Sequence, residues 1–111
     1  MTLTIVSGSL KTILARLKRE LKKHYGDRLK QLIMFGSQAR GDAHPDSDID
    51  ILVVLKGEVN AGEEIEKTGP IIASLSLEKD AVISCIFMDE YRFIHRSGPL
   101  LRNIRKEGII L

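Results

Sequence analysis

Leu10, Ile13, Leu14, Leu17 and Leu21 recur at the three- and four-residue spacing that lines one face of a helix. Ser7 or Ser9 can accept the free amides at its start and Gly26 can end it, so this stretch predicts an amphipathic helix of about four turns. The pattern then changes. Leu29 to Phe35 closes in the apolar run QLIMF ahead of Gly36, which is short for a helix and suits a buried strand. Gly36 to Asp46 is rich in Gly, Asp, Ser and Pro and reads as a loop carrying at most one short helix. Ile49, Ile51 and Val53 alternate with Asp48, Asp50, Leu52 and Val54 before Gly57, giving a second strand with both aspartates on one face.

Ala61 to Leu77 carries Ile65, Ile72 and Leu75 on one helical face, but Gly69 and Pro70 interrupt it and are expected to kink the helix or split it. Ala81 to Phe87, reading AVISCIF, is rich in β-branched and aromatic residues and predicts a third strand, with Asp80 just ahead of it. Asp89 and Ser97 are candidate N-caps, Pro99 suits a first helical turn and Gly108 a C-terminal cap. Two short helices are therefore expected before the apolar tail Ile109 to Leu111. The order helix, strand, loop, strand, helix, strand, helices implies an α/β (α+β) class: a small mixed β-sheet with helices mainly on one face.

Length and composition narrow this picture without changing it. A chain of 111 residues fits one domain over 1–111, and 43% hydrophobic with 29% charged residues suits a water-soluble globule with a modest core. Cys85 is the single cysteine, so neither an intrachain disulfide nor a cysteine zinc site is expected, and His24, His44 and His95 are scattered at no metal-ligand spacing. No run approaches the ~20 apolar residues of a membrane span, and MTLTIVSGSLK lacks the apolar core of a signal peptide, so a cytoplasmic protein is expected. A formal charge of +2 does not indicate a nucleic-acid partner. Lys18, Arg19, Lys22, Lys23 and His24 form a local basic cluster, read as a solvated helix end whose cations offset the helix dipole.

The informative stretch is FGSQARGDAHPDSDIDILVV, from Phe35 to Val54. Gly36 directly after a strand lets the backbone turn sharply and approach a ligand, while Ser37 adds a hydroxyl and opens a short helix whose free amides can hold phosphate. Arg40, about one turn on, can aim its guanidinium at the same oxygens. A plain strand-to-helix turn with a surface arginine would look alike in isolation. Asp48 and Asp50 point the same way with α-carbons about 6.6 Å apart, so their carboxylates can converge on one or two cations. Two carboxylates about 5 Å apart repel by roughly 3 kcal/mol at an effective dielectric of 20. A polar turn after Pro45 would account for Asp46, Ser47 and Asp48. It does not account for Asp50 within an otherwise apolar strand. A phosphate-holding turn beside a carboxylate pair suits in-line displacement at the α-phosphate of a nucleotide, where metals neutralise charge on the attacking and leaving oxygens.

The compound motif G-S-x-x-R-G then S-D-x-D, here Gly36, Ser37, Arg40, Gly41, Ser47, Asp48 and Asp50, closely resembles the signature of the DNA polymerase β-like nucleotidyltransferases. The brevity of the chain and its ending I-R-K-E-G-I-I-L resemble the minimal nucleotidyltransferases in particular. The motif covers about a fifth of the chain, and the expected order of elements is compatible with that fold throughout. By this resemblance Gly36 and Ser37 bind the triphosphate of ATP or another nucleotide, Arg40 supports its phosphates, and Asp48 and Asp50 bind Mg2+. The resemblance also implies a third carboxylate on a later strand beside the first two. Asp80 in K-D-A-V-I-S is the match chosen, as metal ligand and general base toward the acceptor hydroxyl.

Proteins of this kind are similar to antitoxins that pair with HEPN-type toxins and place AMP on a partner tyrosine. The resemblance therefore implies a protein acceptor. A non-catalytic module that neutralises its partner by contact is the competing reading, and transfer onto a small molecule, as in related antibiotic-modifying enzymes, ranks last because those carry a further domain to hold the drug. Self-association is open to a small domain with an apolar tail. Cys85 shares strand parity with Ile83 and Phe87 and is read as core; His44 is read as solvated loop; Tyr25, Tyr91 and Phe93 are read as packing residues rather than base-stacking ones.

Overall fold

The periodic leucines form helix α1, Gly8–Tyr25, whose Leu10, Ile13, Leu14, Leu17 and Leu21 are all buried. A computed structural model describes residues 8–41 and 48–111; the candidate cap Ser7 lies outside them. A 3-10 turn over Gly26–Arg28 leads into β1, Leu29–Phe35, and Gly36 turns the chain into a single helical turn, α2, Ser37–Arg40. Then follow β2 (Ile49–Leu55), α3 (Ala61–Lys79), β3 (Ile83–Asp89), α4 (Glu90–His95), α5 (Pro99–Glu107) and β4 (Ile109–Ile110).

The four strands lie in the order β3-β2-β1-β4. β1 runs antiparallel to β2 and to β4, whereas β2 and β3 are parallel, so the sheet is mixed as the order of elements implied. A parallel pair needs a long crossover, and α3 supplies it. The pleat sends alternate residues to opposite faces. On one face Leu32, Met34, Ile51, Val53, Leu55, Ile83 and Phe87 form the main core with α1 and with Leu75 of α3. On the other, Ile33, Leu52 and Val54 meet Leu101 and Ile104 of α5, with Phe93 of α4 alongside. β2 is covered on both faces, which is why Ile51 to Leu55 reads as an unbroken apolar run. The two long helices share one face, and the shorter α4 and α5 cover part of the other.

Three expectations are corrected. First, α3 is not split: one helix continues through Gly69 and Pro70. Glu66 and Pro70 are both exposed, so water can serve the Glu66 carbonyl that the proline leaves without a donor. Second, its inner face departs from expectation at Ile65, which is 55% exposed: Ile72 and Leu75 do pack on the core, and Glu64 and Thr68 are buried beside them. Glu64 is accommodated because the Tyr25 hydroxyl donates to its Oε1 at 2.8 Å, and the Thr68 hydroxyl donates to the Glu64 carbonyl at 2.7 Å. Third, the apolar tail is a strand: Ile109 and Ile110 pair with Met34 and Ile33, and the Leu111 amide donates to the Leu32 carbonyl at 2.9 Å.

The caps are mixed. Asp89 accepts from the Arg92 amide at 2.8 Å as expected, but α5 begins on Gly98 rather than Ser97. Asn60, not singled out from sequence, caps α3 by accepting from the Glu63 amide at 3.1 Å. At Gly108 a Cβ would stand 2.4 Å from the Ile104 carbonyl and 2.6 Å from Ile33 Cγ2, so only glycine lets β4 turn back onto β1 there.

Candidate active site

β1 delivers the chain to Gly36, whose φ of 77° and ψ of −157° lie in a region that residues with a side chain avoid. The amides of Ala39 and Arg40 both donate to the Gly36 carbonyl at 3.1 Å, closing α2 immediately after the strand. Asp50 stands opposite Phe35 in the antiparallel register, one residue before that turn. Its carboxylate leans onto the glycine: a Cβ on Gly36 would lie 2.4 Å from Asp50 Oδ2. The phosphate turn and the strand carboxylate expected from sequence are thus in direct contact, and the absence of a side chain at residue 36 is what permits it.

Asp48 precedes β2 and is exposed, whereas Asp50 is half-buried. Removal from water raises the Asp50 carboxyl above its ordinary 3.8; the Asp48 charge raises it further and the Arg40 guanidinium opposes both. These three charges therefore sense one another. A half-buried carboxylate with a like-charged neighbour is relieved by a cation, and oxygen donors of this kind suit a hard divalent ion. Asp48 and Asp50 fit that role. Arg40 is itself exposed, and its Nη1 lies 3.5 Å from Glu107 Oε2 at the end of α5. Glu107 thereby reaches the site from the far end of the chain. No spacing in the sequence signals this, because only the fold brings α5 beside α2.

Asp80 does not join the pair. It is the C-cap of α3, exposed, with φ 50° and ψ 51°, three residues ahead of the strand on which a third carboxylate was expected. Level with Asp50 on β3 stands Ser84. Among the described residues, no three His, Cys, Asp or Glu side chains gather as a metal site. His44, Pro45, Asp46 and Ser47 lie outside the described residues.

Residues 14–111 match the nucleotidyltransferase domain family. The chain belongs to that family. It is 38% identical over 92 residues to a Methanocaldococcus jannaschii protein bearing the provisional name of protein adenylyltransferase, covering 82% of this chain and 86% of that one. It is also 35% identical over 74 residues to the protein adenylyltransferase MntA of Thermococcus cleftensis, covering 67% and 73%. Among solved structures, a provisionally named nucleotidyltransferase from Sulfolobus solfataricus superposes with a TM-score of 0.63 at 25% identity over 99% of this chain and 87% of that one. A toxin–antitoxin structure with AMP-PNP shares the fold at a TM-score of 0.61 and 19% identity, over 86% and 69%.

The remaining candidates of this nucleotidyltransferase have structural settings. Cys85 packs against the main core, and burial pushes its thiol up to about 12, so it is no nucleophile at neutral pH. Tyr25 is buried beside Glu64, Phe93 packs on the second core cluster, and Tyr91 is exposed at the opposite end of β3 from Ser84. No helix among the described residues is long and apolar enough to cross a membrane.

Proposed function

We propose that this nucleotidyltransferase moves AMP from ATP to a hydroxyl of a partner protein, a tyrosine of a HEPN-type toxin, with Mg2+ held by Asp48 and Asp50. The observation that supports the reading is the contact between the Asp50 carboxylate and the Gly36 turn, an arrangement suited to a cation ligand beside a phosphate-binding turn. The relatives named protein adenylyltransferases support a protein acceptor, and the toxin–antitoxin structure with AMP-PNP supports both a nucleotide and a partner.

In this reading the acceptor oxygen attacks the α-phosphorus, the bond to the β-phosphate oxygen breaks, and pyrophosphate leaves while the acceptor loses its proton. Bound Mg2+ would neutralise charge developing on the phosphate oxygens. Gly36 and Ser37 hold the triphosphate against the opening of α2, and Arg40 turns from Glu107 to those oxygens. Asp48 and Asp50 would hold the cation. The compartment proposed is the cytoplasm. The test is transfer of label from ATP labelled at the α-phosphate to a co-expressed partner. Label on a partner tyrosine, lost in Asp48→Ala with Asp50→Ala, supports the reading; retained label in that variant refutes it.

A contact-only antitoxin remains the second reading, and the position of Asp80 away from the pair favours it. It requires that Asp48→Ala with Asp50→Ala still neutralise the partner in cells.

A further inference from the structure

Asp50 has two neighbours across its face of the sheet: Phe35 on β1 and Ser84 on β3. The β1 side is filled, because the carboxylate lies against Gly36 and Phe35 packs into the second core cluster. The β3 side is open. Ser84 is exposed, and among the described residues β3 is an edge strand with no neighbour on its far side. Parity places Ser84, Ile86 and Met88 on the face of Asp50, Leu52 and Val54, and Ile86 and Met88 do pack with Leu52 and Val54. Neighbouring strands lie about 4.8 Å apart, so a group bound to Asp50 on its open side is within reach of the Ser84 side chain.

Asp80 has another task. The left-handed conformation that ends α3 is one that Asp and Asn tolerate better than most residues, and the Asp80 amide closes the cap on the Leu77 carbonyl at 3.4 Å. Three residues separate it from Ser84, the position level with Asp50.

We propose that Ser84, not Asp80, is the third side chain facing the bound cation, so that the site holds its metal with two carboxylates and presents a neutral hydroxyl where a third carboxylate would stand. This rests on the reading that Asp48 and Asp50 are the metal ligands. The two carboxylates together carry the charge that balances one divalent ion, and Ser84 adds a donor and acceptor without adding a third negative charge.

The test is calorimetric binding of Mn2+ without nucleotide to the full chain and to Ser84→Asp, Ser84→Asn, Asp80→Asn and Asp48→Asn with Asp50→Asn. Ser84→Asp is expected to tighten Mn2+ by about tenfold or more, since it sets a new charge beside the ion, while the neutral Ser84→Asn gives no such gain. Asp80→Asn is expected to stay within about twofold of wild type, and it should fold because Asn suits the left-handed cap. An Asp80→Asn loss as large as that of the double variant overturns the proposal, as does a Ser84→Asp affinity equal to wild type. If wild-type binding is too weak to measure, binding gained by Ser84→Asp still supports the proposal and no gain overturns it. Should Ser84→Asp fail to fold, Asp80→Asn decides alone. Undiminished Mn2+ binding by Asp48→Asn with Asp50→Asn would instead remove the two-carboxylate reading on which the proposal rests, a distinguishable outcome. None of these readouts depends on nucleotidyl transfer.

Discussion

Replacing Gly36 by alanine separates a backbone requirement from a site requirement. At φ 77° and ψ −157° a side chain costs about 1–3 kcal/mol in backbone strain. The new Cβ would also stand 2.4 Å from Asp50 Oδ2, where ordinary contact begins at 3.4 Å, so the carboxylate must retreat by the 1.0 Å difference. Misplacement on the order of 1 Å costs about a hundredfold where catalytic groups must align. Gly57→Ala is the matched control: its φ is 85°, and nothing lies within 4 Å of the added Cβ. Urea denaturation should therefore show similar losses of about 1–3 kcal/mol for both variants. Cation and nucleotide binding, measured by calorimetry under folding conditions, should fail only in Gly36→Ala. Binding unchanged in Gly36→Ala, or equally damaged in Gly57→Ala, would refute the claim that the turn is shaped around Asp50.

Other predictions follow from single contacts. Because burial and Asp48 raise the Asp50 carboxyl, the folded metal-free chain holds that proton more tightly than the unfolded chain. Its stability therefore falls as pH rises from the ordinary carboxylate value through the raised one, and the full cost is present above it. Asp50→Asn should accordingly stabilise the metal-free protein at pH 7 in urea, and the gain should vanish below the ordinary carboxylate range. Tyr25→Phe leaves the buried Glu64 without its hydroxyl donor and should lose about 1–3 kcal/mol in the same assay. Glu107→Gln releases Arg40 from an exposed ion pair: stability should move by less than about 1 kcal/mol, and ATP should bind more tightly, by up to about fivefold in titration.

The parts of the fold legible in the sequence were those governed by local period. α1 could be placed from its five apolar residues, because burial on one side leaves a periodic trace, and β2 from the apolar run beside Asp48 and Asp50, because both of its faces are covered. α3 misled for two reasons. Its buried face uses Glu64 and Thr68, polar residues satisfied only by partners brought near by folding, and its proline sits on the solvent side where a missing amide is tolerated. The tail became β4 through pairing with β1, Ile109 with Met34 and Ile110 with Ile33, a contact between distant parts of the chain that no local pattern encodes.

The candidate site divides along the same line. Gly36, Ser37, Arg40, Asp48 and Asp50 fall within one short stretch of chain, so their chemistry could be read together before any fold was known. The approach of Asp50 to the Gly36 turn follows from one antiparallel register, which pairs Asp50 with Phe35. Residues supplied from farther away were hidden: Glu107 comes from α5, and Ser84 is set by the parallel pairing of β3 with β2. Asp80 attracted the reading because it is the acid nearest the third strand in sequence, yet its backbone ends a helix.

The most direct test is calorimetric binding of ATP to the wild-type chain with and without Mg2+, beside the same titrations on Asp48→Ala with Asp50→Ala. The site described here predicts Mg2+-dependent ATP binding by the wild-type chain and its loss in the variant. Equal binding by wild type and variant, or wild-type binding indifferent to Mg2+, would contradict it.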